Sequence, residues 1–277
     1  MSYKAMKNGR FTRAFVLFIY KIMTTSVFQR WLRHPSSVVF VTSKICIKST
    51  PFTSLAEADA MRFVSRSTTV PVPKVYLAFE HNGSVYIVME RLPGQCLAVG
   101  WTQRSAESKA KIFEQLRSMV IEMRNIQPPQ DQGVSNVRGG PIFDPRLPNK
   151  THWGPFRSIR EFHRELRNGI ELKDITDLNT IPSKLKELIQ FHEQPWDKPV
   201  FTHGDLSSLN IMSEGDTIVG IIDWETAGWL PPYWEYTCAW DANPQNRFWQ
   251  HEVDNFLVAR PHDLEMETLR KRYFGDF

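Results

Sequence analysis

Two short apolar runs, each ending on an acidic residue, constrain this chain more than any other feature. Pro199-Val200-Phe201 leads into Thr202-His203-Gly204-Asp205, and Asn210 completes the pattern His-x-Asp-x-x-x-x-Asn. A turn at Glu214-Gly215-Asp216 opens a second run, Thr217 to Ile222, which delivers Asp223 within Gly220-Ile-Ile-Asp-Trp-Glu225. Apolar runs of this length between turn residues read as buried strands. Two carboxylates and one carboxamide then stand on adjoining loops at strand ends. There a fold can hold oxygen ligands in fixed geometry beside a pocket.

Each residue type suits one task. Asp205, on a tight loop after a strand, can accept a hydrogen bond from a substrate hydroxyl and orient it. The Asn210 carboxamide oxygen and the Asp223 carboxylate suit Mg²⁺, which prefers hard oxygen ligands and keeps several waters. Together they meet the needs of phosphoryl transfer, which is mostly positioning and neutralisation of phosphate charge. Asp and Asn are also ordinary turn residues, and for the first motif alone that explanation suffices. The second motif, at this distance, decides for function. His203 is read as a brace for the loop. Lys48, ending an apolar run, can hold phosphates or can be a surface lysine with a buried stem. Its carboxylate partner is Glu57, Asp59 or neither. Met89 to Gly94 joins two differently composed halves; it is a plain linker, or its free backbone groups receive an adenine.

The 277 residues, 42% of them hydrophobic, suffice for a substantial core. Charged residues make up 23%, the net charge is +4, and the basic residues are spread out, so no nucleic-acid stripe is expected. Cys46, Cys96 and Cys238 are few and far apart. That argues against a disulfide framework or structural zinc and for a reducing, cytoplasmic setting. Lys4, Lys7, Arg10 and Arg13 precede the apolar run Ala14 to Tyr20 and loosely imitate a signal peptide. Lys21 interrupts that run far short of the ~20 apolar residues of a membrane span. An amphipathic helix over 11 to 32 that packs on the body, with Phe15, Phe18, Ile19 and Ile22 on one side, is expected instead.

The first ~90 residues read as a small sheet with an inserted helix. Val38–Val41 and Ile45–Ile47 form one hairpin around Thr42-Ser43. Lys74–Phe79 and Val85–Met89 form another around His81-Asn82-Gly83-Ser84. The helix between the hairpins is capped by Ser54. The remainder is mainly helical: Ser105 to Asn125, a helix opened by a Ser158–Glu161 capping box, Ser183 to His192, and closing helices from 232 to 274. Residues 127 to 157 are irregular and too long for a plain connector.

Phe201-Thr-His-Gly-Asp-Leu, Asn210-Ile and Gly220-Ile-Ile-Asp-Trp-Glu resemble the aminoglycoside phosphotransferase family of the protein-kinase-like superfamily. The likeness extends to SLAEADAMRFV, VPVPKV, YIVMERLPG, GGPIFDPRLP and GWLPPYWEY, roughly residues 38 to 240. It implies an α+β bilobal kinase-like fold. Residues 1–91 would be the nucleotide lobe, a small antiparallel sheet with one helix (1–35 an atypical helical extension). Residues 92–277 would be the larger, mainly helical catalytic lobe. It implies Asp205 as catalytic base, Asn210 and Asp223 as Mg²⁺ ligands, and Lys48 on the α and β phosphates paired with Glu57. The backbones of Glu90 and Leu92 would receive the adenine of ATP, or the base of GTP. The implied partner is a small-molecule hydroxyl acceptor, with no nucleic acid and no membrane span. Trp229, Tyr233, Trp234, Glu235 and Asp241 are candidate walls for it.

The sequence departs from that pattern before Val38, in RWLRHPSS, where no phosphate-covering loop is legible and no glycine lies between Arg10 and Gly83. This departure keeps open a second class of reading, an inactive kinase-like protein that binds a ligand or partner. A protein kinase fits less well, because Asp223 runs at once into GWLPPYWEY and leaves little room for a peptide-docking segment.

Overall fold

Alternation of apolar residues in the first ninety positions builds a four-stranded antiparallel sheet in the order β1-β2-β4-β3. The computed structural model describes residues 8–25, 38–177, 179–241 and 247–275. The expected first hairpin is β1 (Val38–Phe40) and β2 (Ile45–Lys48). Thr42 closes its turn by accepting the N–H groups of Lys44 and Ile45 at 3.1 and 3.0 Å. The second is β3 (Val75–His81) and β4 (Ser84–Glu90). Between them Asn82 and Gly83 both take positive φ, +49° and +74°, as a tight primed turn demands.

Alternate residues of these strands face two different helices. Cys46, Ile87 and Met89 pack with Ala58, Met61 and Val64 of α2 (Leu55–Ser67), capped by Ser54 as expected. Ile47, Leu77, Phe79 and Val88 pack with Val16 of α1 (Arg10–Met23). The period of two thus sends one set of side chains to each helix. α1 packs on the body as foreseen. Val16 is buried and Leu17, Ile19 and Tyr20 adjoin it, whereas Phe15, Phe18 and Ile22 are exposed. The helix ends at Met23 with Thr24 as its C-cap, short of the expected 32, and residues 26–37, which include RWLRHPSS, lie outside the described residues.

The second half is mainly helical. α3 (Ala106–Arg124), capped by Ser105, buries Ile112, Leu116, Val120 and Met123. Two small sheets carry the loops of interest. One has the order β11-β10-β5, from Thr217–Ile221, Ile211–Glu214 and Gln95–Cys96. The other has the order β6-β12-β9, from Ser135–Asn136, Gly228–Leu230 and Val200–Thr202. The irregular 127–157 segment contributes β6 and a short pair, β7 (Ile142–Phe143) with β8 (His152–Trp153). α4 (Ile159–Leu166), α5 (Ser183–Glu193), α6 (Trp234–Asp241), α7 (Arg247–Gln250) and α8 (Pro261–Phe274) complete the helical layer. The α4 cap differs from a reciprocal box: Ser158 Oγ accepts the Glu161 N–H, but Glu161 reaches back to the N–H of Arg157 rather than Ser158.

The halves share a core. Phe63 of α2 contacts Phe201 and Trp229, and Ile221 N–H donates to the Pro71 carbonyl at 2.9 Å. Both catalytic-motif strands therefore lie directly under the small lobe.

Candidate active site

β9 ends at Thr202, and the loop that follows is fixed almost entirely by its own backbone. The N–H groups of His203 and Gly204 donate to the two oxygens of buried Glu235, at 2.7 and 3.0 Å. Thr226 Oγ1 donates to the His203 carbonyl at 2.9 Å. Gly204 has φ +82°, and a Cβ there would press on Thr226 at 3.1 Å, so glycine suits the turn twice over. His203 Nδ1 accepts the Asp205 N–H at 3.1 Å, which leaves Nε2–H to donate to the Ile222 carbonyl at 3.0 Å. Burial lowers its pKa to about 4, so the ring stays neutral and serves as the brace expected of it. It also ties the two acidic loops together.

Asp205 is thereby fixed beside the loop that carries Asp223. Its Oδ2 accepts Asn210 Nδ2 at 2.7 Å, and the same amide donates to the Asp205 carbonyl at 3.0 Å. Its Oδ1 is buried and has no partner among the described residues. Burial raises the carboxyl to about 6; Arg146 opposes the rise and Asp223 adds to it. Because Asn210 spends its amide on Asp205, its Oδ1 is the atom left for another ligand.

Asp223 follows β11 in a left-handed conformation, φ +65°, rare for a residue with a side chain. Its carboxylate meets Lys48 Nζ at 2.6 Å. Lys48 also contacts Glu57 at 2.9 Å and Glu225 at 3.3 Å. Burial alone would depress the ammonium, but Glu57, Asp223 and Glu225 outweigh it and hold Lys48 charged. Burial raises Glu57 to about 7, and its Oε2 has no partner among the described residues. Glu57 is thus the partner. Asp59, the alternative, instead pairs with Arg62 and Arg138 at 3.0 and 3.5 Å.

Lys48, Glu57 and Asp223 line one cleft of about 420 Å³ with Val38, Cys46 and Met89. Its far end is the 90–94 connection. There Glu90 and Arg91 donate their N–H groups to the carbonyls of Lys74 and Lys44, at 2.9 and 3.0 Å. Leu92 lies over Gly220, where a Cβ would collide with it, which accounts for the glycine that opens Gly-Ile-Ile-Asp. Glu90 and Leu92 both line the cleft.

Five of the seven residues singled out from the sequence, Lys48, Glu57, Glu90, Leu92 and Asp223, line this cleft, and Asp205 and Asn210 sit on the adjoining loop that His203 ties to Ile222. The proposed acceptor walls do not. Trp229, Tyr233, Trp234 and Glu235 are at most 3% exposed and belong to the core, because the aromatic run packs inward on β9 and α4. Asp241 is tied to Lys271. Three functional contacts had no local signal: the Glu235 clamp, Glu225 on Lys48, and Arg146. Arg146 forks onto Asp144 at 2.7 and 2.8 Å and also donates to the Gly204 carbonyl. The motif GGPIFDPRLP contains both residues, but only the fold shows that they buttress the catalytic loop.

Similarity to known proteins places the chain in a family. Residues 36–272 match the phosphotransferase enzyme family, APH. An aminoglycoside 3′-phosphotransferase of Niallia circulans is 26% identical over 174 residues, which cover 61% of this chain and 58% of that relative. In structure, a thermostable mutant of aminoglycoside phosphotransferase APH(4)-Ia in its apo form superposes with a TM-score of 0.58 at 16% identity, over 86% of this chain and 79% of that one. A thermostable mutant of the same enzyme, in ternary complex with AMP-PNP and hygromycin B, superposes with a TM-score of 0.58 at 17% identity, over 84% and 78%. ADP-bound APH(2″)-Ib superposes at 0.52 and 13% identity, over 94% and 92%. At these identities the structures establish the kinase-like α+β fold. The family match spans most of the chain: it belongs to the APH phosphotransferase enzyme family.

Proposed function

We propose that this chain transfers the γ-phosphate of ATP or GTP to a hydroxyl of a small molecule. The observation that carries the reading is Asp205 Oδ1. It is buried and has no hydrogen-bond partner among the described residues, while Oδ2 is held by Asn210. A buried acceptor without a donor costs free energy unless a substrate completes it. A hydroxyl donating to Oδ1 is oriented for in-line attack on the γ-phosphorus. As the new O–P bond forms and the bond to the ADP oxygen breaks, its proton passes to Asp205. A carboxyl titrating at about 6 can take that proton and release it near neutral pH.

Lys48, still held by Glu57, exchanges Asp223 for the α and β phosphates. Asn210 Oδ1 and the Asp223 carboxylate are hard oxygen donors, with Glu225 adjacent, and the Lys48 ammonium at 2.6 Å from Asp223 supports a cationic partner there. These residues fit Mg²⁺, which when bound supplies neutralisation of the phosphate charge. The backbones of Glu90 and Leu92 receive the base. In this reading residues 1–91 bind nucleotide and 92–277 carry the catalytic loop and acceptor. The free thiols of all three cysteines fit a cytoplasmic setting.

The test is nucleotide turnover against a panel of hydroxyl and amine metabolites, aminoglycosides included, with Asp205→Ala as control. Turnover that survives this substitution sinks the role of Asp205. A protein that neither turns over nucleotide nor gains thermal stability from Mg·ATP at millimolar concentration is instead a binding module of another kind.

A further inference from the structure

We propose that α1 is an interfacial helix that docks the small lobe on an anionic phospholipid surface. Phe11, Phe15, Phe18 and Ile22 are 94%, 60%, 63% and 37% exposed. Spacings of four, three and four place them in one stripe along the helix. The opposite face is closed against the sheet. Val16 is buried, Tyr20 stacks edge-on with Tyr86 at 5.3 Å and donates to the Ser49 carbonyl, and Arg13 lies over Phe79. The helix is therefore anchored by one face and holds the aromatic stripe outward. An apolar stripe of this size, rather than scattered exposed residues, marks an interaction surface.

Charge selects the partner. The basic residues are spread along the chain, but the acidic ones are not. Nine of the 34 basic residues and none of the 30 acidic ones precede Glu57. The first 56 residues carry +9 and the remaining 221 carry −5. Arg10 and Lys21, eleven positions apart on α1, are both exposed. A second copy of the chain would bring two such cationic segments together, which opposes self-association. An anionic bilayer satisfies both features, since phenylalanines enter the acyl boundary while Lys and Arg meet the headgroups. No helix among the described residues is long and apolar enough to cross a membrane, so α1 lies in the plane of the surface. The orientation leaves the site accessible. Val16 meets Ile47 and Val88 on one sheet face, while Cys46 and Lys48 line the cleft on the other.

The inference does not depend on the proposed activity. It is tested by co-sedimenting the full chain with phosphatidylcholine vesicles, with and without phosphatidylserine. Binding should be roughly tenfold or more tighter with phosphatidylserine and should weaken as salt rises. The double variant Phe15→Ser, Phe18→Ser should lose it while keeping the wild-type melting temperature, because both side chains are already in water. Three results overturn the proposal: no partition onto phosphatidylserine vesicles, equal partition by the folded double variant, or a concentration-dependent dimer that the same variant abolishes. The last would assign the stripe to a second copy.

Discussion

Two buried polar clusters in this protein follow opposite rules. Around the 203–210 loop, Glu235, His203, Thr226 and the Asn210 amide group are spent on defined partners, and the orphan atoms are Asp205 Oδ1 and Glu57 Oε2. Under α4 and α5, His163 bonds the His192 carbonyl and the Tyr233 hydroxyl and stacks on the His192 ring at 4.3 Å. There both nitrogens of His192, Trp196 Nε1 and Arg167 Nη1 have no partner among the described residues. The first cluster holds carboxylates whose pKa values are raised. The second holds imidazoles whose pKa values burial lowers, His163 to about 3 and His192 well below its ordinary value. On folding, the carboxylates of the first gain protons, while the imidazoles of both, His203 included, refuse them. The first leaves acceptor atoms open beside the cleft, and the second behaves as apolar core.

The largest expected effect tests the first half of that contrast. Asp205→Ala should reduce turnover by roughly 10²–10⁴-fold, the usual contribution of a positioned base. It should lower the urea midpoint little, because Oδ1 has no partner to lose and the Asn210 amide that bonds Oδ2 keeps the Asp205 carbonyl. A clear loss of stability would mean that Asp205 holds the loop rather than serving the substrate.

Glu235 is the converse case. Glu235→Ala leaves the His203 and Gly204 N–H groups buried without acceptors. At about 1–3 kcal/mol for each, unfolding free energy should fall by roughly 2–6 kcal/mol, with activity lost as the loop relaxes. Denaturant unfolding with an unchanged midpoint would show that Thr226 and Arg146 suffice.

The two clusters should also pull stability in opposite directions with pH. His163 and His192 titrate lower in the folded than in the unfolded chain, so the unfolded state binds more protons below the ordinary histidine pKa of about 6.5. Their contribution is fully present above that pH and is lost as pH falls toward about 3, where His163 titrates. Asp205 at about 6 and Glu57 at about 7 act with the other sign. Their protonated forms favour the fold, and that contribution fades as pH rises through those values. His192→Leu sacrifices no hydrogen bond made by its ring and should stay within about 1.5 kcal/mol of wild type at neutral pH. Its stability should decline less between pH 6.5 and pH 5 than that of the wild type, by up to about 1.4 kcal/mol per pH unit. Asp205→Ala should decline more. Parallel curves for all three proteins would dissolve the contrast.

What was legible in the sequence follows the same division between local and distant causes. The hairpins, the caps at Ser54 and Ser105 and the acid-bearing loops depend on residues within a few positions of one another, and the structure has them where turn and cap chemistry place them. Glu235 and Arg146 reach the catalytic loop from 31 and 58 positions away, and no spacing announces such a contact. The run around Trp229 to Trp234 is aromatic enough for a pocket wall, yet the same composition suits the core it forms. α1 packs on the body as expected, but its apolar residues surround nearly the whole helix, so periodicity could not say which face meets the sheet.

The smallest expected effect settles the choice the sequence left open for Lys48. Glu57 and Asp59 lie two positions apart, which on a helix turns them to different faces. Glu57 points into the cleft, buried against Lys48. The Asp59 side chain is 36% exposed and bonded to Arg62. An exposed ion pair of this kind is worth at most about 1 kcal/mol. Asp59→Asn should therefore shift stability by less than that and leave the nucleotide KM unchanged, whereas Glu57→Gln should raise KM by loosening Lys48. A raised KM in Asp59→Asn would require α2 to rotate when nucleotide binds, bringing Asp59 to Lys48 and making the pairing seen here a resting arrangement.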